Sequence, residues 1–292
     1  MYLEKFIERT TPLGILGIII TQHNETVTEY LWDDTCRRNV YSASKSFTST
    51  AVGMAIEEGL LSLDERLVDV FAVELPNHVS DNLKQATVKD LLTMCLGQEC
   101  AELMGAQRPN YLEDDWVRLS LAFPFVDSPG TKFVYNNVGP YLAGILVQRR
   151  AGCDLVSYLM PRLFAPLGIK RPTWEVDPLG NTFGAGGLYL NIYELHKFGL
   201  LYLNDGVWDG KRLISHEWVE ESTKKQVDND CDEFGYGYLF WRGPHDSYRA
   251  DGKYCQWSII LKEKNAVITI VAECRNGREL SEALWEEIYP QL

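Results

Sequence analysis

The chain has 292 residues, with 41 acidic and 28 basic side chains, a formal net charge of −13 and 46% hydrophobic residues. This is ordinary globular composition, which excludes disordered, collagen-like and low-complexity proteins. The acidic excess argues against nucleic-acid partners, because phosphate binding depends on clustered Lys and Arg. The apolar run at residues 13–20 is shorter than the roughly 20 residues of a membrane helix, and the pattern of a signal peptide is absent.

The seven cysteines are odd in number and form no CxxC pair. This usage favours a reducing compartment over a disulfide framework. We therefore expect a cytoplasmic protein with no membrane partner. The oligomeric state is left open.

The first elements predicted along the chain are strands. Residues 14–21 and 26–32 are rich in β-branched side chains around a polar break, which predicts an antiparallel hairpin and a chain that opens with sheet. Residues 42–58 then show apolar side chains at helical spacing, and Gly59 stands where a helix often ends in glycine.

The remaining elements divide into a helical middle and a strand-rich end. Helices are predicted at residues 88–95, 141–151, 155–163, 192–203 and 216–224, strands at 237–242, 256–262 and 266–272, and a last helix at 280–288. This order predicts an α+β fold in a single domain, 1–292. Its α+β lobe comprises residues 1–60 and 226–292, and a mostly helical lobe, 61–225, is inserted between them.

A candidate nucleophile stands at the start of the predicted helix 42–58. Ser42 and Lys45 are three residues apart, so the hydroxyl and the amine lie on one helix face, and a neutral Lys45 needs a lowered pKa. The N–H groups at a helix N-terminus stabilise an oxyanion on an acyl group bound to Ser42. Alone the pattern is weak, because Ser222 and Lys225 share the spacing and a serine there is often a simple helix cap.

A second candidate group is Tyr135 with Asn137, in a loop before the predicted helix 141–151. Such a loop lets a phenol and a carboxamide reach a cleft, where Tyr135 moves a proton and Asn137 orients the base or the substrate. Two further segments share the spacing, 189–191 and 202–204, and their tyrosines are better interpreted as helix-packing residues.

Together these residues resemble the superfamily of serine β-lactamases, penicillin-binding proteins and related esterases, and are closest in style to class C β-lactamase-like hydrolases. Ser42–Lys45 matches its first motif and Tyr135–Asn137 its second. Further stretches match in order and spacing: 87–93, 129–131, 166–168, 186–188, 206–210 and 217–219. The resemblance covers nearly the whole chain and implies a β-lactamase/DD-peptidase-like fold, an antiparallel sheet flanked by helices, with the site between the two lobes.

The third motif departs from the family pattern. Where the family has a Lys- or His-led tripeptide ending in glycine, this chain has Ala250, Asp251 and Gly252. The family's cation helps to hold a substrate carboxylate, so its loss argues against β-lactam or D-Ala-D-Ala recognition. Arg249 and Lys253 are the candidate replacements, although neighbouring strand residues face opposite sides. By resemblance, the N–H of Lys253 is the second oxyanion donor.

Two tryptophans flank this motif, Trp241 and Trp257, and are candidates for the wall of an acyl pocket. No metal or organic cofactor is expected: the acidic run at 228–233 lacks the glycine of a calcium loop, and the five histidines form no zinc-type pair.

The sequence thus predicts a serine hydrolase in which an ester or amide acylates Ser42, with Lys45 and Tyr135 moving the protons. The expected partner is a small-molecule ester, amide or β-lactam. One alternative is a β-lactamase or D-Ala-type peptidase. A second is a non-catalytic ligand-binding protein of the same fold.

Overall fold

The computed structural model describes residues 1–33 and 35–292. Its strands within these residues are β1 Ile15–Gln22, β2 Glu25–Leu31, β3 Arg38–Asn39, β4 Tyr189–Leu190, β5 Val207–Trp208, β6 Lys211–Arg212, β7 Trp241–Arg242, β8 Tyr248–Gly252, β9 Gln256–Leu261 and β10 Ala266–Ala272. Six of them form one antiparallel sheet in the order β2-β1-β10-β9-β8-β7, while β3 pairs with β4 and β5 with β6. The sheet thus joins both ends of the chain.

The helices surround this sheet. They are α1 Glu4–Thr10, α2 Ser44–Glu57, α3 Leu67–Val70, α4 Asp81–Gln85, α5 Val88–Thr93, α6 Trp116–Ala122, α7 Val138–Ala151, α8 Leu155–Leu159, α9 Ile192–Leu203, α10 His216–Thr223 and α11 Gly277–Ala283. A 3-10 turn, Tyr41–Ala43, precedes α2, and π-helical turns, Met160–Phe164 and Leu284–Ile288, extend α8 and α11. This is the α+β architecture predicted from the sequence.

The central strands are buried on both faces. Every residue of β9 and β10 is buried, and their sequences QWSIIL and AVITIVA are nearly continuous β-formers. Along β1, Ile19 faces the larger core, which contains α2, whereas Ile18 and Ile20 face a second core under the terminal helices. The alternation of strand side chains therefore divides the interior into two cores.

On the face of the sheet that borders the larger core, α9 packs against β9 and β10. The helices α2 and α7 pack against each other in the same core. Gly199 permits this close approach, because a Cβ there would lie 2.3 Å from the Ser258 Oγ. Since α9 belongs to the predicted helical segment 61–225 but covers the sheet, the two lobes are closely interlocked. The boundaries 1–60, 61–225 and 226–292 stay a prediction.

Two expectations about the elements were wrong. The chain opens with α1 rather than with sheet; this helix has only seven residues, too few for a clear period, yet Phe6 is fully buried against the terminal helices. The strand expected at 237–242 is reduced to Trp241–Arg242, because Gly237 packs on the Ser222 carbonyl and Leu239 has φ +64°. None of the helices in the described part of the chain is long and apolar enough to span a membrane.

Candidate active site

Ser42 lies in the 3-10 turn directly before α2, and its side chain is partly buried. The preceding residue, Tyr41, has φ +47°, a left-handed conformation that is strained for a tyrosine. Its N–H donates to Asn39 Oδ1 at 2.7 Å, which helps to hold the turn. The sequence predicted a helix from residue 42, and the structure places Ser42 in the turn that leads into it.

Lys45 is fully buried one helical turn further on. Its Nζ lies 3.0 Å from Ser42 Oγ, 2.7 Å from Asn137 Oδ1 and 2.7 Å from the Ala185 carbonyl oxygen. A neutral amine has two hydrogens and one lone pair. Donation to Asn137 and Ala185 therefore leaves the lone pair for the Ser42 hydroxyl.

The environment of Lys45 favours this neutral form. Burial, and secondly the charge of Arg108, lower the pKa of Lys45 from 10.5 to about 7. No carboxylate among residues 1–33 and 35–292 forms an ion pair with its Nζ. A substantial fraction of Lys45 is thus unprotonated near neutral pH.

Tyr135 lies beside both groups. The Lys45 Nζ is 5.0 Å from the centroid of its ring, and the Ser42 side chain is close enough to influence the pKa of its phenol. Burial raises the pKa of Tyr135 strongly, and the influence of Ser42 and Trp241 only partly opposes this. Tyr135 is therefore a neutral phenol at neutral pH, able to donate a proton.

Asn137 connects Lys45 to the loop between α5 and α6. Its side chain accepts from Lys45 and donates to the Leu103 carbonyl at 3.0 Å, and its backbone N–H donates to the Glu102 carbonyl at 3.1 Å. It is also the N-cap residue of α7, which begins at Val138 rather than near residue 141. The carboxamide therefore has a fixed orientation toward the amine.

The third motif lies on β8, against the turn that carries Ser42. A Cβ at Gly252 would lie 2.1 Å from the Val40 carbonyl oxygen, so only glycine permits this approach. Ala250 is buried in the same core as α2. Lys253 follows Gly252 in the turn before β9; its side chain is exposed and its Nζ lies 4.9 Å from the ring centroid of Tyr254.

Asp251 faces the other side of β8, as the alternation of strand residues requires. One carboxylate oxygen accepts from Arg249 Nε at 2.7 Å and the other from Trp257 Nε1 at 3.1 Å. The charge of Arg249 is thus engaged on the face away from Ala250. The hydrogen bonds of Asp251 are therefore structural. Arg249 does not occupy the position where the family has the cation of its third motif.

The two candidate wall tryptophans lie apart. The ring of Trp241 is 5.3 Å from that of Tyr135 and 5.0 Å from that of Tyr236, and it is partly exposed. Trp257 is buried in the core under the terminal helices. Of the pair, Trp241 alone adjoins the Ser42 site.

Two contributors to the environment of Lys45 were not predicted from the sequence, Arg108 and the Ala185 carbonyl. Arg108 lies in a loop without periodicity, so no pattern distinguished it. Ala185 had an indirect signal: α2 is buried along most of its length yet rich in hydroxyls, and Thr48 Oγ1 donates to the Gly184 carbonyl while Ser44 Oγ accepts from the Leu188 N–H. These two hydrogen bonds hold residues 184–188 over Lys45.

The serine that shares the spacing of the first motif is not in such a site. Ser222 is buried near the end of α10, where its Oγ lies 3.5 Å from the Val219 carbonyl oxygen, and Lys225 pairs with Asp228 at 2.5 Å. Sequence spacing alone does not distinguish the two serines, but their surroundings do.

Comparison with known proteins identifies the family and the fold. The family model described as Beta-lactamase matches residues 13–289. The 6-aminohexanoate-dimer hydrolase of Paenarthrobacter ureafaciens is 26% identical over 235 residues, covering 75% of this chain. The chain spans only 58% of that relative's length.

Two solved structures share the fold. A Bacillus anthracis protein described as a candidate 6-aminohexanoate-dimer hydrolase superposes with a TM-score of 0.82 and 17% identity, over 97% of this chain and 81% of that one. The penicillin-binding protein of Bacillus halodurans gives a TM-score of 0.75 and 18% identity, over 97% of this chain and 99% of that one.

Proposed function

The chain belongs to the beta-lactamase family, and from that premise we propose that it is a serine hydrolase that cleaves small esters or amides through an acyl-enzyme on Ser42. The observation that carries the proposal is the buried Lys45 amine, 3.0 Å from Ser42 Oγ and held by Asn137 and Ala185 at 2.7 Å each. A lysine so placed is a base for the serine rather than an ion-pair partner.

Acylation begins when Ser42 Oγ attacks the substrate carbonyl and its proton passes to Lys45 Nζ. The oxyanion formed is held by the N–H groups of Ser42 and Lys253. As the bond to the leaving group breaks, Tyr135 gives that group its proton and regains one from Lys45. All protons are then accounted for, and Lys45 is neutral again.

Deacylation repeats these roles with water. A water molecule attacks the acyl carbon and gives its proton to Lys45 Nζ, either directly or through the phenol of Tyr135. The bond from the acyl carbon to Ser42 Oγ then breaks. The Ser42 oxygen then recovers a proton from Lys45. The strongly raised pKa of Tyr135 keeps the phenol protonated, which supports Lys45 as the initial base.

The third motif favours esters or simple amides over β-lactams. Ala250 brings no cation to the strand beside Ser42, and Arg249 is engaged by Asp251 on the opposite face. A substrate carboxylate therefore lacks the partner that the family pattern supplies. Residues 250–253 are proposed to bind the substrate through the strand backbone.

The test is release of p-nitrophenol from p-nitrophenyl acetate by the wild type, Ser42→Ala and Ser222→Ala. We expect Ser42→Ala to lose at least about 10³-fold in rate, and Ser222→Ala, which has the same local spacing, to stay within about threefold. Equal turnover by Ser42→Ala and wild type would refute the proposal.

A fluorescent penicillin distinguishes the alternative substrate class. Strong labelling of wild type at Ser42, with little ester turnover, would favour a β-lactamase or D-Ala-type peptidase. Binding of acyl compounds with neither adduct nor turnover would favour the non-catalytic alternative.

A further inference from the structure

One edge of β8 is only partly covered by its neighbouring strand. β9 pairs with β8 along its whole length, whereas β7 pairs only with Tyr248 and Arg249. Within the described part of the chain, residues 250–252 therefore have no strand partner on the β7 side. The partner of Arg249 is Trp241, the first residue of β7. The indole residue thus stands where the free edge of β8 begins.

Trp241 also adjoins the phenol of the site. Its ring centroid lies 5.3 Å from that of Tyr135, with 36° between the planes, and both side chains are partly exposed. The buried rings of Phe133 and Tyr236 contact Trp241 edge to face, at 6.1 and 5.0 Å between centroids. Two partly exposed rings therefore form one aromatic surface, and buried aromatic side chains hold it in place.

The proposed acylation step brings the leaving group to this surface. Tyr135 gives its proton to the leaving atom, so that atom must come within hydrogen-bond reach of the phenol, and its substituent extends past the phenol ring. Three described neighbours of this ring are buried: Lys45, Phe133 and Tyr236. Trp241 is the neighbour that a bound molecule can reach.

We propose that Trp241 is a specificity-determining residue that binds the leaving group and favours esters and amides whose leaving group carries an aromatic ring. This inference rests on the proposed function and names the substrate class. Aromatic rings pack favourably on one another in offset or edge-to-face arrangements. The nearest charges on β8, Arg249 and Asp251, pair with each other at 2.7 Å, so the surface favours an uncharged ring.

The experiment compares benzyl acetate with ethyl acetate, which share the acyl group and differ in the leaving alcohol. Release of acetic acid is followed at constant pH for wild type, Trp241→Ala and Trp241→Phe. The ratio of kcat/KM for benzyl acetate to that for ethyl acetate should fall about tenfold in Trp241→Ala. In Trp241→Phe, which keeps an aromatic ring, the ratio should stay within about threefold of wild type.

A third ester, ethyl phenylacetate, distinguishes the two sides of the scissile bond. Its ring belongs to the acyl group, so its kcat/KM relative to ethyl acetate should be the same in Trp241→Ala and wild type. A fall in this ratio as large as that for benzyl acetate would overturn the assignment of Trp241 to the leaving group. Equal losses for all three esters would show that Trp241 only supports Tyr135, and would also overturn the inference.

Trp32→Ala is the matched control. Trp32 is partly exposed and contacts an aromatic side chain, Tyr30, at 4.3 Å between centroids, but it follows β2 at the opposite edge of the sheet. Its removal should leave both ratios at their wild-type values. Failure of the proposed function has a different signature, since Ser42→Ala would then retain full turnover of ethyl acetate.

Discussion

The amine of Lys45 and the carboxamide of Asn137 meet at 2.7 Å in a fully buried contact that links α2 to the N-terminus of α7. Because Asn137 Oδ1 is an acceptor without charge, it orients the amine without stabilising a proton on it. A carboxylate at the same position would do both.

Asn137→Asp therefore should raise the pKa of Lys45 and shift the acid limb of kcat/KM to higher pH, with at least about a tenfold loss at pH 7. The pH profile of ester hydrolysis checks this. Asn191→Asp is the control, since Asn191 caps α9 and a carboxylate caps a helix equally well. An Asn137→Asp profile that matches wild type would contradict the role given to the carboxamide.

The contact between Gly252 and the Val40 carbonyl predicts a strict need for glycine. Gly252→Ala should lower the free energy of unfolding by about 1–3 kcal/mol and reduce ester turnover, because β8 must move away from the Ser42 turn. Gly186→Ala is the control, since its new Cβ would meet no atom closer than 3.8 Å. The free energy of unfolding of both variants is compared by urea unfolding. Equal values would show that β8 can move away from the Ser42 turn without loss of stability.

The Arg249–Asp251 pair is predicted to be structural. Both side chains are about one-fifth exposed, so their coupling should be only about 0.5–1 kcal/mol in a double-mutant cycle of Arg249→Gln and Asp251→Asn. Ester turnover by each variant should stay within about threefold of wild type. A loss beyond tenfold in Asp251→Asn alone would instead give its carboxylate a direct part in catalysis.

His196 makes stability depend on pH. Its ring is buried on α9 between Thr21 Oγ1 and Thr269 Oγ1, 2.8 Å from each, and burial lowers its pKa from 6.5 to about 4. Since the unfolded chain binds the proton first, this group's contribution to stability is full above pH 6.5 and declines as pH falls toward 4. The total loss from this group is about 3 kcal/mol.

Urea unfolding at pH 7 and pH 4.5 checks the effect, with His196→Gln as the comparison. The variant is expected to be less stable than wild type at pH 7, through its altered buried hydrogen bonds, and to lose less on acidification. An identical pH dependence in both proteins would show that His196 does not carry it.

Much of this architecture follows from local patterns. The strands in residues 14–32 and 256–272 are strongly β-branched, and the helix 192–203 has a clear period and a capping box, so their positions were predicted closely. The break at Leu239 was not, because its cause lies elsewhere in the chain: the Tyr238 N–H donates to the Ser222 carbonyl and the Leu239 N–H donates to the Leu92 carbonyl.

The site likewise contains residues that the sequence predicts and residues that it does not. Ser42, Lys45, Tyr135 and Asn137 stand in short patterns and are brought together in the structure. Arg108 and the Ala185 carbonyl lie in irregular segments, and the contact of Ala185 with Lys45 depends on how residues 184–188 pack over α2. The environment that lowers the pKa of Lys45 is a property of the assembled fold, which no spacing encodes.

The most direct test of the account is rapid-quench mass spectrometry of wild type and Lys45→Met mixed with p-nitrophenyl acetate, followed by peptide mapping. We expect wild type to gain the mass of one acetyl group on the peptide that contains Ser42, and Lys45→Met, folded but without the base, to gain none on the same time scale. An acetyl group located elsewhere, or equal acetylation of Ser42 in both proteins, would contradict the central claim that Lys45 activates Ser42.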